Sequence, residues 1–282
     1  MRLSVETYIL HKRYGDEKAI RMLKNAGFDS IDYSFYWLEE SDQTLGDEYQ
    51  SYARKIRQLL DENHITCNQA HAPFSLQYDS IFDTSCEDYV KLIRSIEAAS
   101  IMGAKSIVVH AINVPVNVDA FAYNFEFYKN LEPYCEKFGI CIAIENLFWY
   151  DDKTECCRGI LHTPEQLKRM VATLGSKWFI VCLDVGHAAV TGYEPDALIR
   201  CFSNHTLKAL HIHDNDYWKD RHTLPYAGSF EWNKIMQALK DVDYNGDFTF
   251  EIFGYLSKID DDFMEEALAF AAKTGRQLLR MI

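Results

Sequence analysis

The chain has 282 residues, 48% of them hydrophobic and 25% charged, with six prolines and no apolar run near the roughly 18 residues that a membrane helix needs. That composition excludes a disordered chain or a helical membrane span, and the length suits a single α/β barrel, which commonly takes about 250 residues. A net charge of −13 argues against adhesion to phosphate backbones, because such binding draws its free energy from Lys and Arg displacing counterions.

The opening residues, Met1-Arg2-Leu3-Ser4-Val5-Glu6, read directly as a strand and lack the basic start, apolar core and cleavage site of a signal peptide, so a cytoplasmic location is expected. Further strands are predicted over 29–33, 65–71, 106–110, 141–145, 179–184, 207–212 and 247–252, after a first one at 2–6. Helical patterns fill the intervals at 16–25, 47–62, 87–102, 119–138, 163–174, 195–202, 232–241 and 260–281. Gly27, Asn63, Gly103, Gly139, Gly175, Asn204 and Gly246 each precede an apolar run and suit a left-handed helix end. Thr163-Pro164-Glu165-Gln166 has the hydroxyl, proline and amide of a helix start.

Strands alternating with helices imply a parallel sheet with crossover connections, and eight of them imply a closed (β/α)8 TIM barrel. No Gly/Ser linker or low-complexity tract divides residues 1–282, so one domain is expected. An open doubly wound sheet would bring ligands from only a few strands to one crevice. Among the eight cysteines, Cys67, Cys141, Cys182 and Cys201 lie in apolar patterns where a free thiol acts as a small hydrophobe. The adjacent Cys156-Cys157 has no partner pair at zinc-finger spacing.

Six apolar runs end on a residue type that binds metals: Gln69-Ala70-His71, Val108-Val109-His110, Ala143-Ile144-Glu145, Cys182-Leu183-Asp184, Ala209-Leu210-His211 and Thr249-Phe250-Glu251. If the strands are parallel, these tips form one ring at the C-terminal mouth of the barrel. Glu145, Asp184, His211 and Glu251 offer three carboxylates and an imidazole, a hard set suited to Mn²⁺, Mg²⁺, Co²⁺ or Zn²⁺. One such carboxylate is often only a cap or ion-pair partner, but burying three unpaired at one mouth would be very costly. His71, His110, His187, Asp220 and His222 are candidates for a second or third ion, or for hydrogen bonds to a polyol. His211 and His213 compete for one ligand position, since alternation turns both to the same side. Tyr8, Phe35, Tyr36, Trp37, Phe74, Trp149 and Trp218 are candidate walls for a sugar ring, with ordinary packing as the alternative.

The segments His71-Ala72-Pro73-Phe74, Ile144-Glu145-Asn146, Leu183-Asp184-Val185-Gly186-His187 and His211-Ile212-His213-Asp214-Asn215-Asp216 resemble those of the xylose isomerase-like barrels. The resemblance runs over essentially the whole chain. That superfamily includes sugar epimerases, hydroxypyruvate isomerase, inosose dehydratase and isomerase, and endonuclease IV. Its epimerases and isomerases imply one ion on Glu145, Asp184, His211 and Glu251, with the two glutamates also moving the substrate proton. His211 is favoured over His213 because Asp214-Asn215 then begins the loop as in the isomerases. The resemblance to endonuclease IV implies up to three zinc ions on His71, His110, Glu145, Asp184, His187, His211, Asp220, His222 and Glu251. Against that enzyme, the loop from His211 to Asp220 is shorter, and Leu147-Phe148-Trp149-Tyr150 replaces a Gly-rich stretch.

The expected protein is therefore a divalent-metal-dependent sugar or sugar phosphate isomerase or epimerase, with a small-molecule sugar as partner. Glu145 and Glu251 would serve as base and acid, His187 and Arg221 would steady hydroxyls or developing charge, and His71, Trp37, Phe74 and Trp149 would contact the sugar. A homo-oligomer is compatible with this reading, and nucleic acid and membrane are not expected partners. No Lys/Arg cradle follows the last two strands, which favours an unphosphorylated substrate. The alternative is a multi-zinc phosphodiester hydrolase acting at abasic DNA. A catalytically silent sugar-binding barrel has the least support, because both glutamates are intact.

Overall fold

A computed structural model describes residues 1–36, 43–74, 78, 82–151 and 156–282. Eight strands form one parallel sheet: β1 (Leu3–Glu6), β2 (Ser30–Ser34), β3 (Thr66–His71), β4 (Ser106–Val108), β5 (Cys141–Glu145), β8 (Phe179–Asp184), β9 (Leu207–His211) and β10 (Phe248–Phe250). Between β5 and β8 lies an antiparallel hairpin, β6 (Leu147–Asp151) and β7 (Cys156–Ile160). Each of the eight pairs with its neighbour in the order β10-β1-β2-β3-β4-β5-β8-β9. The ring closes where Ile212 N–H donates to the Thr249 carbonyl (2.8 Å) and Glu251 N–H donates to that of Ile212 (3.0 Å). The expected single-domain TIM barrel is therefore present.

The outer helices form because their apolar residues recur on one face. In α2 (Tyr49–Glu62) the buried set is Ala53, Ile56 and Leu60, spaced to lie on one stripe. Alternation then sorts the strands: Val108, Ala143, Cys182 and Ala209 pack together as a layer of small apolar side chains inside the barrel. The residues two places further along are His110, Glu145, Asp184 and His211, so the ligand types rise directly above that layer. Register staggers them around the ring, with His71 level with Val108, Glu145 with Cys182 and Asp184 with His211.

Several local expectations change. The first helix, α1, begins at Tyr8 rather than near residue 16 and continues to Ala26 through a kink at Gly15, whose φ of 71° breaks the helical run. Short helices α6 (Val185–Val190) and α9 (Phe253–Leu256) and the hairpin are additions. Gly27, Gly103, Gly139 and Gly175 take the left-handed helix-ending conformation. Asn63 does not (φ −92°), because His64 takes it instead at φ 51°. Neither Asn204 nor Gly246 adopts it, and after α8 (Trp232–Asp241) the left-handed residue is Asp243. Among the described residues, Cys67, Cys86, Cys135, Cys141, Cys182 and Cys201 are free thiols, and no helix is long and apolar enough to cross a membrane.

Candidate metal centre

Strand ends β3, β5, β8, β9 and β10 place His71, Glu145, Asp184, His211 and Glu251 within one buried cluster, each at most 3% exposed. The three carboxylates converge on a single atom: His211 Nδ1 lies 2.6 Å from Glu145 Oε1, 3.6 Å from Glu251 Oε2 and 4.0 Å from Asp184 Oδ2. His110, just beyond β4, brings Nε2 to 2.8 Å from Glu145 Oε2 and 3.1 Å from His71 Nε2. His187, Asp220 and His222 form a second group, with Asp220 Oδ2 3.3 Å from His187 Nε2 and 2.6 Å from His222 Nε2.

Local structure holds each of these in place. Asp184 caps α6 by accepting from His187 N–H at 2.6 Å, which fixes both the carboxylate and the imidazole three residues on. Asn146 exchanges two 2.8 Å hydrogen bonds with the Asp184 backbone, and its own carbonyl lies 3.0 Å from His187 Nδ1. His222 packs between His213 (ring centroids 4.0 Å apart) and Phe253 (3.9 Å).

His211 and His213 separate clearly. Both ring nitrogens of His211 face carboxylates, Nδ1 toward Glu145 and Nε2 toward Asp32 Oδ2 at 3.2 Å. Burial opposes charge on this imidazole, but Cys182, Glu251, Glu145 and Asp32 outweigh it and raise its pKa well above the usual value. His213 is shifted the same way: burial opposes its charge, but Asp184 and Asp220 raise it to about 9, so geometry rather than charge tells the two imidazoles apart. His213 is one layer nearer the mouth, with Nε2 3.2 Å from both Asp184 oxygens and 3.5 Å from Asp220 Oδ1.

The two glutamates sit in opposite fields. Burial pushes Glu145 up, but His211 and His110 reverse this and hold it well below the ordinary carboxylate range. Burial, reinforced by Asp184 and Glu145, raises Glu251 well above that range. Burial and His110 keep His71 well below its usual value and so neutral, the form that ligates.

The donor set fits a divalent cation. Glu251 Oε2, Asp220 Oδ1 and His213 Nδ1 are buried without a hydrogen bond, an arrangement normally too costly to keep. A hard ion would take up the carboxylate oxygens. Cavity and cluster coincide: a cavity of about 860 Å³ opens onto His110, Glu145, His187, Asp220, His222 and Glu251.

Other expected site residues divide. Phe74 lines the cavity, its ring 4.9 Å from His71 and 4.8 Å from His110. Trp149, on β6, lines it as well. Tyr8 and Tyr36 pack with tilted rings 5.4 Å apart, Phe35 is buried against Tyr33, and Trp218 stands in solvent. Trp37 lies outside the described residues. Arg221 does not face the cluster: Asp220 and His222 turn inward, and Arg221, thrown outward between them, pairs with Asp216 (Nε to Oδ2, 2.6 Å).

Sequence reasoning missed a deeper polar layer. Asp32 accepts from Gln69 Nε2 at 2.7 Å as well as facing His211, and Glu6 is buried beside it. The signal was available, since Gln69 and His71 alternate onto one side of β3, and Glu6 and Asp32 each stand within a predicted apolar strand.

Residues 20–275 match the model of the xylose isomerase-like TIM barrel family, and the chain belongs to it. It is 28% identical over 191 residues to an uncharacterized protein of Methanocaldococcus jannaschii, covering 64% of this chain and 62% of that protein, less than two thirds of its length. It is 25% identical over 283 residues to one of Sinorhizobium fredii, covering 86% and 83%. Among solved structures it is similar to a D-tagatose 3-epimerase-like protein (TM-score 0.77, 20% identity, 100% and 98% covered). A D-psicose 3-epimerase crystallised with D-fructose has TM-score 0.75 at 18% identity, with 99% of each chain covered. An Escherichia coli 3-keto-D-glucoside 4-epimerase has 0.73 at 16%, with 97% and 99% covered.

Proposed function

We propose that this protein is a divalent-metal-dependent isomerase or epimerase of carbonyl sugars. The observation that carries the reading is the convergence of Glu145, Asp184 and Glu251, from three separate strands, within 4.0 Å of His211 Nδ1, with Glu145 and Glu251 also lining an open cavity. In this reading Glu145, Asp184, Glu251 and His213 hold the ion, with His213 in place of His211 because both nitrogens of His211 are engaged by carboxylates. The ion would supply Lewis acidity to a sugar carbonyl and its neighbouring hydroxyl.

The chain's own residues supply proton transfer and orientation. Glu145 and Glu251 both line the cavity from different strands, so one can take the proton next to the carbonyl while the other returns it. His110, 2.8 Å from Glu145, and His187 stand where substrate hydroxyls would lie. Phe74 and Phe148 give the cavity apolar walls that exclude water. The similarity to proteins described as D-tagatose and D-psicose 3-epimerases supports this choice of chemistry.

The experiment is solvent deuterium exchange into a panel of ketoses with added Mn²⁺, comparing wild type with Glu145→Gln and Glu251→Gln. Metal-dependent exchange lost in both variants is expected, and its absence from every ketose would remove the reading.

One observation favours a second reading, a multi-zinc phosphodiester hydrolase. His71 with His110 and Glu145, and His187 with Asp220 and His222, are two further groups whose donor atoms lie within 4.8 Å of one another. Two or three zinc ions per chain and cleavage of a synthetic abasic duplex would establish it in place of the first.

A further inference from the structure

We propose that the substrate is a neutral ketose carrying a second sugar ring, held in a subsite between the β6–β7 hairpin and the start of α3 (Glu87–Met102). This rests on the isomerase reading above and extends it from reaction to substrate class.

The cavity is larger than the chemistry needs. About 860 Å³ lies near the upper end of pockets that enclose a whole drug-sized ligand, roughly 300–1,000 Å³, and a lone ketohexose is far smaller than such ligands. The extra space has a direction. One end is the strand-tip cluster on the barrel mouth, whereas Asp88 and Lys91, which also line the cavity, belong to the first turns of α3 in the outer helical ring. The cavity therefore runs outward through a full layer of the fold.

The walls of that outer end are of the kind that binds carbohydrate. Trp149 presents an indole that is 53% exposed, from a hairpin anchored by buried Leu147 and by Phe148, whose ring meets His187 edge-on at 5.1 Å. An aromatic face stacks on the apolar face of a pyranose, while Asp88, Asn113 and Lys91 offer acceptors and donors for its hydroxyls. The described charges at this end are balanced rather than arranged as a phosphate cradle: Lys91 is paired with Glu87 at 2.7 Å, and Asp88 stands three residues before it. A glycosidic ring is neutral and flat-faced, and it fits this end.

The test measures binding and exchange on the full-length, Mn²⁺-loaded protein. Dissociation constants for D-fructose and for the ketose disaccharides lactulose and isomaltulose are read by calorimetry, and exchange is followed on the same sugars. At least tenfold tighter binding of one disaccharide is expected, with the ratio of disaccharide to D-fructose affinity falling toward one in Trp149→Ala and Lys91→Ala. Equal affinity for D-fructose and both disaccharides, or a preference that survives both substitutions, overturns the subsite while leaving the reaction intact. Loss of exchange on every sugar with the binding preference retained would instead overturn the reaction and leave the subsite standing.

Discussion

Asn146 and Asp184 grip each other by two hydrogen bonds of 2.8 Å, the Asn146 amide donating to the Asp184 carbonyl and its oxygen accepting from the Asp184 N–H. The pair continues the β5–β8 ladder beyond its last backbone bond, and so sets the height at which Glu145 and Asp184 leave their strands. Asn146→Ala would orphan two buried backbone groups, each worth about 1–3 kcal/mol. Urea unfolding should show that loss, and Mn²⁺ affinity should fall about 10- to 100-fold, as when outer supports of metal ligands are removed.

His211 and His213 predict different responses to metal. Removing one partner of a buried charged pair costs about 3–5 kcal/mol, so His211→Gln should weaken the fold strongly while the remaining protein still responds to Mn²⁺. His213→Gln should also lower stability without metal, because it takes away the partner 3.2 Å from both buried Asp184 oxygens, but it alone should abolish the Mn²⁺-dependent rise in Tm, which for an ion at 100 times its Kd corresponds to about 2.7 kcal/mol. Thermal melts with and without Mn²⁺ separate the two.

Gly186 lies under His213. A Cβ at this position would stand 1.9 Å from His213 Cε1, and the ring can yield only by leaving Asp184. Gly186→Ala should therefore lower Mn²⁺ affinity by at least tenfold, measured by calorimetry.

Glu6 makes stability depend on pH. Its carboxyl is completely buried, and burial, aided by Asp32, raises its pKa to about 8 from 4.5. The folded chain therefore keeps a proton that the unfolded chain releases. Stability from this group is fully present below pH 4.5 and is lost as pH rises toward 8, at up to about 1.4 kcal/mol per pH unit. Glu6→Gln keeps an oxygen for the 2.6 Å bond from Tyr8 N–H and removes the titration. The variant should be the more stable protein at pH 8, and the gap should close toward pH 5 in denaturant titrations without metal.

The barrel was legible because each of its strands is an apolar run ending in a polar side chain, a pattern that burial on both faces followed by a solvated tip produces directly. Glu145, Asp184 and Glu251 were legible for the same reason. Arg221 was not, because its direction depends on the backbone turn at His222, whose φ of 43° no local preference of histidine dictates. The hairpin was missed because Leu147-Phe148-Trp149-Tyr150 reads equally as a loop or a strand until Leu147 is paired with Ile160. The choice between His211 and His213 was not legible, because alternation gives the side of the strand but not the depth, and depth sets which side chains each imidazole meets.

The closure of the ring between β9 and β10 rests on Ile212, through its bonds to Thr249 and Glu251. His213 and Glu251 flank that narrow join on opposite strands. An ion shared by both would act as a clasp on the seam, so that loading the site and keeping the cylinder shut become a single event, and a chelator would be felt as breathing of the wall as much as loss of chemistry.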